Sequence, residues 1–309
     1  MSLRAGLIGT ITSDTILYDD GRSFRSLGGV LYQAAVFCGL GLETSLFTNC
    51  GEALRQEVEA LTRDWPSLRR EGIGWVPGPG HRVELRYSDR LKEREEVLLS
   101  AVPPLEPSAA LAEASGLGML LLVFNSGFDL ELSAWRRIAA AARCPVWLDV
   151  HSLVLAPKTG SHREYVALAD WREWMGGVSY LQANRQEVAS LLGHPERWPE
   201  EGEYPGFWRD CFDLGIRAVF VTLGKEGVLV AAPGGVRPVR APAVSAVVDT
   251  TGCGDVFAAS TLVRMAAGAD VFSAAAEGAS LASAAAGVAG VRATFELVRR
   301  SRLTAAAPL

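Results

Sequence analysis

The stretch "VVDTTGCGDVFAAS", Val247 to Ser260, sets Gly252, Cys253, Gly254 and Asp255 at the head of an apolar, alanine-rich segment. A Gly-x-Gly turn that enters a helix exposes backbone N–H groups with no intrahelical acceptor, and the helix dipole makes that end positive. The turn is therefore expected to be an anion site suited to phosphate, with glycines that let a ligand approach the backbone. Asp255 would repel a phosphate unless it serves a different atom. As a base for a hydroxyl that attacks a phosphoryl group it fits, because phosphoryl transfer is mainly positioning and charge stabilisation. Spacing alone leaves a plainer reading equally open, a helix start stabilised by ~0.3–1 kcal/mol through an acid in its first turn.

Outward from this turn, the chain alternates strands and helices. Helices are expected at 256–267 and 274–288. Upstream, 119–124, 145–150, 177–182, 218–222 and 227–232 read as buried strands, with helices at 130–142, 165–174, 185–192 and 207–214. Near the start, 3–10 reads as a strand, 13–24 as a polar, turn-rich stretch with a turn at Asp19-Asp20-Gly21, 28–40 as a helix, 42–49 as a strand and 52–61 as a helix. This rhythm predicts an α/β fold, a mostly parallel central sheet with helices on both faces. Residues 72–100 break it. Apolar and polar residues alternate around Val83, Leu85 and Tyr87 and again near Val97 and Leu99, with polar Ser88–Lys92 between, which predicts a half-exposed antiparallel hairpin. No internal repeat or long linker interrupts the chain, so 1–309 reads as a single domain.

The 309 residues are 49% hydrophobic, with a net charge of −5 and a pI near 5.5. That supports a large core and speaks against a broad nucleic-acid footprint. Five cysteines without C-x-x-C spacing point to a reducing cytoplasm, and four histidines without H-x-x-x-H spacing give no zinc signal. The N-terminus does not read as a signal peptide, and no apolar run reads as a membrane span. The P-loop pattern, the third glycine of G-x-G-x-x-G and the G-x-S-x-G elbow are all missing, which disfavours P-loop enzymes, dinucleotide dehydrogenases and serine esterases.

The residues do resemble one family. "DTTGCGDVF" (249–257) is similar to the C-terminal signature of the ribokinase-like, or PfkB, carbohydrate kinases. Three more stretches agree in order: "SLGGVLYQAAVFCGLGLET" (26–44), "QANRQEVASLLG" (182–193) and "VTLGKEGVLV" (221–230). The resemblance runs from about residue 3 to residue 295. It implies ATP-dependent phosphorylation of a hydroxyl on a small polyhydroxylated acceptor, a sugar, an inositol-like polyol or a nucleoside. Asp255 would be the base, and the N–H groups around Gly252, Cys253 and Gly254 would hold the transferring phosphate. Asn184, Thr222, Gly224 and Gly227 would bind the nucleotide, and Glu187 would influence Mg²⁺ through water. Asp14, Gly28 and Gly29 would meet the acceptor. Asp14 also fits on its own, since a carboxylate just past a strand can accept two O–H bonds. A small antiparallel β lid, built from about 12–26 and 80–100, would close over the acceptor.

The sequence departs from the family pattern at Cys253, where the family has alanine, and at Tyr32, where ribokinases proper carry a polar run. A thiol beside a helix N-terminus can be acidified, but an inert buried cysteine is the reading preferred here. A monovalent cation is suggested only by Asp249 and Thr251. Asn125 and Asp149 end strands, where such sheets bind ligands, although a turn or a cap would account for either. Arg82 and Arg86 either reach an anionic acceptor or are simply solvated, and Lys225 either approaches a phosphate or sits in its loop. An exposed hairpin at a sheet edge invites a second copy, so a homodimer through the lid is expected at even odds with a monomer. The alternative to a kinase is a non-catalytic relative that binds nucleotide or sugar and acts through protein contacts.

Overall fold

The computed structural model describes residues 3–87 and 95–301. The chain begins with β1 (Arg4–Ile8), β2 (Ile11–Tyr18), β3 (Ser23–Gly29), α1 (Leu31–Gly39), β4 (Glu43–Gly51), α2 (Arg55–Leu61), β5 (Leu68–Arg69) and β6 (Ile73–Val76). Next come β7 (His81–Tyr87), β8 (Glu95–Ser100), α3 (Ser108–Ala114), β9 (Met119–Val123), α4 (Leu132–Ala141), β10 (Val146–Asp149) and α5 (Trp171–Trp174). Then follow β11 (Tyr180–Asn184), α6 (Arg185–Leu192), α7 (Tyr204–Asp213), β12 (Ala218–Thr222), β13 (Val228–Ala232) and β14 (Gly235–Val239). Helices α8 (Cys253–Ala266), α9 (Val271–Ala285) and α10 (Gly290–Arg300) close the described chain.

A ten-stranded sheet runs β14-β13-β12-β11-β10-β9-β1-β4-β5, with β6 paired to β4. Its pairs from β12 through β5 are parallel, and β13 and β14 add an antiparallel edge. Each central strand feeds two cores by simple alternation. Leu121, Val123, Trp147 and Phe220 pack on one face with α1, α8, α9 and α10, while Leu120, Leu122, Leu148, Val219 and Val221 pack on the other with α4, α6 and α7. Burial on both faces explains why these strands read as unbroken apolar runs.

A second sheet of four strands, β3-β2-β7-β8, stands apart. Two antiparallel hairpins, β2/β3 and β7/β8, are joined by a parallel β2–β7 pairing that sets Asp14 opposite Val83. Ile16, Val83, Leu85 and Leu98 form its own apolar cluster. The outer edge of β8 is occupied within the chain: Gly160 N donates to Leu98 O at 2.7 Å and Arg163 N to Glu96 O at 2.9 Å.

Several boundaries differ from the sequence reading. Residues 13–24 are not turn-rich: they belong to β2 and β3, with the expected turn between them. Thr12, Ser13 and Asp14 are polar yet buried, which erased the hydrophobic alternation of a strand. Gly28 and Gly29 end β3, and the helix expected from residue 28 starts at Leu31. Of the helix expected over 165–174, only Trp171–Trp174 is helical, and Tyr165 instead bridges to Leu155. Helices α3 and α10 and strands β5 and β14 were not anticipated, and Ile73–Val76, expected as part of the antiparallel hairpin, is β6 and pairs in parallel with β4 of the large sheet. The polar stretch Ser88–Lys92 lies outside the described residues. Among the described residues no helix is long and apolar enough to cross a membrane, and all five cysteines are free.

Candidate active site

The parallel strands end on one rim, and the site is built there. Asn125 follows β9, Asp149 ends β10, Asn184 ends β11 and Thr222 ends β12. Across the rim, α8 begins without a side-chain cap. Its N-cap, Gly252, has φ +80, in the left-handed region that glycine tolerates. A Cβ at Gly252 would lie 2.4 Å from Cγ of Tyr32, so the tyrosine ring of α1 presses directly on the turn. Cys253 N donates to Thr250 O at 3.3 Å. Burial, with the charges of Asp249 and Asp255 beside it, pushes the thiol of the half-buried Cys253 up to about 12. Asp255 lies in the first turn of α8, buried, and Gln33 of α1 donates from Nε2 to its Oδ1.

Three connected cavities meet at this turn. An inner cavity of about 40 Å³ lies between the turn and the small sheet, and Asp14, Gly29, Asn125, Gly252 and Asp255 line it. A central cavity of about 800 Å³ reaches Asp149, Asn184, Glu187, Thr222 and Gly224 and shares Gly252 and Asp255 with the inner one. An outer cleft of about 630 Å³ is largely apolar, with Val228, Pro242, Val244, Phe257 and Ala282 in its walls, and it meets the central cavity at Thr222, Gly224 and Gly254. Gly227 and Cys253 line the cleft.

Carboxylates gather on the central cavity. Burial first, then the charges of Glu187 and Asp255, pushes Asp149 well above the usual carboxylate range. Gln182 Nε2 bridges Asp149 Oδ2 at 2.8 Å and Gly254 O at 3.2 Å, tying the end of β10 to the α8 turn. Asn184 and Glu187 form a capping box at the head of α6: Glu187 N donates to Asn184 Oδ1 at 2.8 Å, and Asn184 N donates to Glu187 Oε2 at 2.7 Å. His151, with φ +38, is the non-glycine residue with positive φ among the described residues, and it lines both the inner and the central cavity. Backbone in that region is costly and collects at functional sites.

The residues expected from sequence thus converge, with one qualification. Gly28 does not line the inner cavity but makes room for Asp14, whose Oδ2 would lie 2.2 Å from a Cβ there. Sequence reasoning missed Gln33, Thr12, Glu96 and His151. Gln33 left a visible signal, a lone polar residue inside the apolar run "VLYQAAVF", and it is fully buried. Thr12, Glu96 and His151 left none, because each depends on which strand faces the rim.

Residues 130–297 match the sequence model of the pfkB family carbohydrate kinases, more than half of the chain. The chain belongs to this family. Among curated relatives, the bifunctional protein HldE of Caulobacter vibrioides is 25% identical over 289 residues, covering 92% of this chain and 50% of the relative. The chain therefore spans about half the length of the curated relative it matches. A pyrophosphate-dependent kinase of the ribokinase family, solved as a sulfate complex, superimposes with a TM-score of 0.78 at 19% identity over 95% of this chain and 99% of that one. The Arabidopsis thaliana ribokinase complexed with ribose and ATP gives 0.72 at 20% identity, over 97% and 99%. A nucleoside kinase of Burkholderia thailandensis in complex with inosine gives 0.72 at 17% identity, over 97% and 98%. This pfkB member therefore has the ribokinase-like fold, with its larger sheet, its flanking helices and its small second sheet.

Proposed function

We propose that this pfkB member transfers the γ-phosphoryl group of ATP to a hydroxyl of a small polyhydroxylated acceptor, a sugar, an inositol-like polyol or a nucleoside. The observation that carries the reading is the shared turn: Gly252 and Asp255 line both the inner and the central cavity. One end of the acceptor enters the inner cavity, whose volume of about 40 Å³ is too small for a whole ring, and the rest extends through the shared opening into the central cavity. Asp14, Gly29 and Asn125 meet its hydroxyls and Gly28 leaves space for Asp14. Asp255 takes the proton of the attacking hydroxyl, and Gln33 fixes its orientation. The turn through Gly252, Cys253 and Gly254 holds the transferring phosphate in the positive field of α8. Asn184, Thr222, Gly224 and Gly227 flank the nucleotide. The outer apolar cleft favours ATP over pyrophosphate, because a donor without a base has no use for it.

Mg²⁺ fits this donor set. The described residues hold no group of three or more side chains arranged to ligate a metal by themselves, while Glu187 and Asp255 bring negative charge to the central cavity beside Asp149. Mg²⁺ keeps several waters and uses few carboxylates together with substrate phosphates, so Glu187 would hold it through water. When bound it would neutralise phosphate charge. A monovalent cation would belong near Asp249, whose Oδ2 is buried with no partner among the described residues. The small sheet serves as the lid over the acceptor within a single kinase domain. A homodimer through this lid would have to use the β3 edge or exposed side chains such as Arg25, Arg82 and Leu99, since the β8 edge is already taken. A monomer by light scattering at micromolar concentration rules it out.

The test is ADP release from Mg²⁺–ATP over a panel of sugars, inositols and nucleosides, with pyrophosphate as the rival donor. Acceptor-dependent release that falls by at least about 100-fold in Asp255→Asn is the expected result. Tight ATP binding without turnover on any acceptor favours the non-catalytic alternative.

A further inference from the structure

The inner cavity has two kinds of wall. Tyr32, Val83 and Leu85 give it an apolar side, and Asp14, Glu96 and Asp255 bring it three carboxylates. Thr12 and Asn125 also line it, at 4% and 5% exposure. Thr12 Oγ1 and Asn125 Oδ1 have no hydrogen-bond partner among the described residues. Buried polar atoms are rarely left unpaired, so these two mark positions that a ligand's hydroxyls complete.

Glu96 differs from the other two acids because it arrives on β8, from the small sheet. It is 7% exposed, and its Oε1 accepts from Arg163 Nη1 at 2.9 Å. Arg163 is 1% exposed and directs its remaining contacts to backbone carbonyls: Nε to Ala156 O, and Nη2 to Ser126 O and Leu155 O. Its guanidinium therefore braces Glu96 and is not offered to a ligand. A second bond, Arg163 N to Glu96 O, fixes the backbone beside the same carboxylate. The basic side chain that lines the inner cavity is His151, against three acids.

We propose that Glu96, braced by Arg163, is an acceptor-binding residue supplied by the small sheet, and that with Asp14 it selects uncharged ring polyols over sugar phosphates and sugar acids. The proposal rests on the kinase reading above. Carboxylates accept hydrogen bonds from hydroxyls, and the same carboxylates repel an anionic substituent in a partly desolvated space. Tyr32, Val83 and Leu85 suit the C–H face of a ring. The cavity opens toward the donor side at Glu96, His151, Gly252 and Asp255, which it shares with the central cavity.

The experiment is steady-state kinetics with Mg²⁺–ATP on matched acceptors: ribose and ribose 5-phosphate, fructose and fructose 6-phosphate, glucose and gluconate, with myo-inositol alongside. Wild type, Glu96→Gln and Asp255→Asn are compared. Wild type is expected to favour the uncharged member of a pair in kcat/KM. Glu96→Gln is expected to raise the KM for that acceptor by about tenfold to a hundredfold, to change kcat by less than about threefold, and to leave the KM for ATP unchanged. It should also narrow the preference over the charged member. A wild-type preference for the phosphorylated or carboxylated member, or an unchanged acceptor KM in Glu96→Gln, overturns the proposal. The kinase reading would then still stand on the loss in Asp255→Asn. No turnover of any acceptor removes both. Should Glu96→Gln fail to fold by circular dichroism, Glu96→Asp is measured instead. It retracts the carboxylate but keeps its charge, so a raised acceptor KM with the charged acceptors still excluded supports the proposal, and an unchanged KM overturns it.

Discussion

At the scale of single residues, the α8 turn is the least replaceable part of the molecule. Gly252 meets two demands at once, a left-handed backbone and the absence of a Cβ facing Tyr32. Alanine there adds strain of about 1–2 kcal/mol from the backbone alone and forces the ring or the turn to move. Gly252→Ala is expected to lose about 1–3 kcal/mol in urea unfolding and at least about tenfold in kcat, because the phosphate contacts and Asp255 share the displaced turn. A variant as active as wild type would show that the turn geometry is not needed. Asp255, Gly252 and Gly254 stood out in the sequence because a glycine turn beside an acid is a local pattern, although spacing alone left a plain helix start equally open and the family resemblance supplied their expected roles. Gln33 was not assigned, since its bond to Asp255 spans 222 positions and only its oddness in an apolar helix hinted at it. Glu96 was illegible for a different reason: an acid on a half-exposed strand looks solvated until the segment that covers it is known.

At the scale of elements, the middle of the large sheet followed from apolar runs with helices between them, and β1, β4 and β9 to β13 appear within a few residues of where the pattern put them, whereas β5, β6 and β14 at its margins did not. The first hairpin did not either, because β2 buries the polar residues Thr12, Ser13 and Asp14, two of which line the inner cavity, and so defeats an alternation rule that assumes burial is apolar. The segment 151–164 had no assignment in the sequence reading, yet it completes the small sheet through backbone bonds to β8 and the Arg163–Glu96 pair. Breaking a buried ion pair from one side leaves an uncompensated charge, typically a loss of about 3–5 kcal/mol. Arg163→Ala is therefore expected to lower unfolding stability by that order, with hydrogen exchange in β8 accelerating most. A loss under about 1 kcal/mol would mean that the segment only lies against the sheet.

At the scale of the whole molecule, an acid-sensitive group sits between the small sheet and the body. His81 is fully buried, its ring nitrogens have no partner among the described residues, and burial, with the nearby Arg163 charge, lowers its pKa to about 3. The folded form keeps this imidazole neutral while the unfolded chain binds a proton below about 6.5. Its contribution to stability is thus present above pH 6.5 and is lost as pH falls toward 3, with a limiting slope of about 1.4 kcal/mol per pH unit. Urea unfolding at pH 7.5, 6 and 5 should show this slope in the wild type and a shallower one in His81→Leu, and parallel pH profiles would contradict it. The contact of Tyr32 and Gln33 with the α8 turn has a temporal meaning as well. Residues near the start of the chain support a turn near its end, so a nascent chain carries Tyr32 and Gln33, on the side proposed for the acceptor, long before it can form the turn proposed to hold the phosphate. Contacts of such sequence separation are closed late and slowly. During refolding, the return of the proposed kinase turnover should therefore lag behind the return of helical signal, and that lag would report the final closure of the chain.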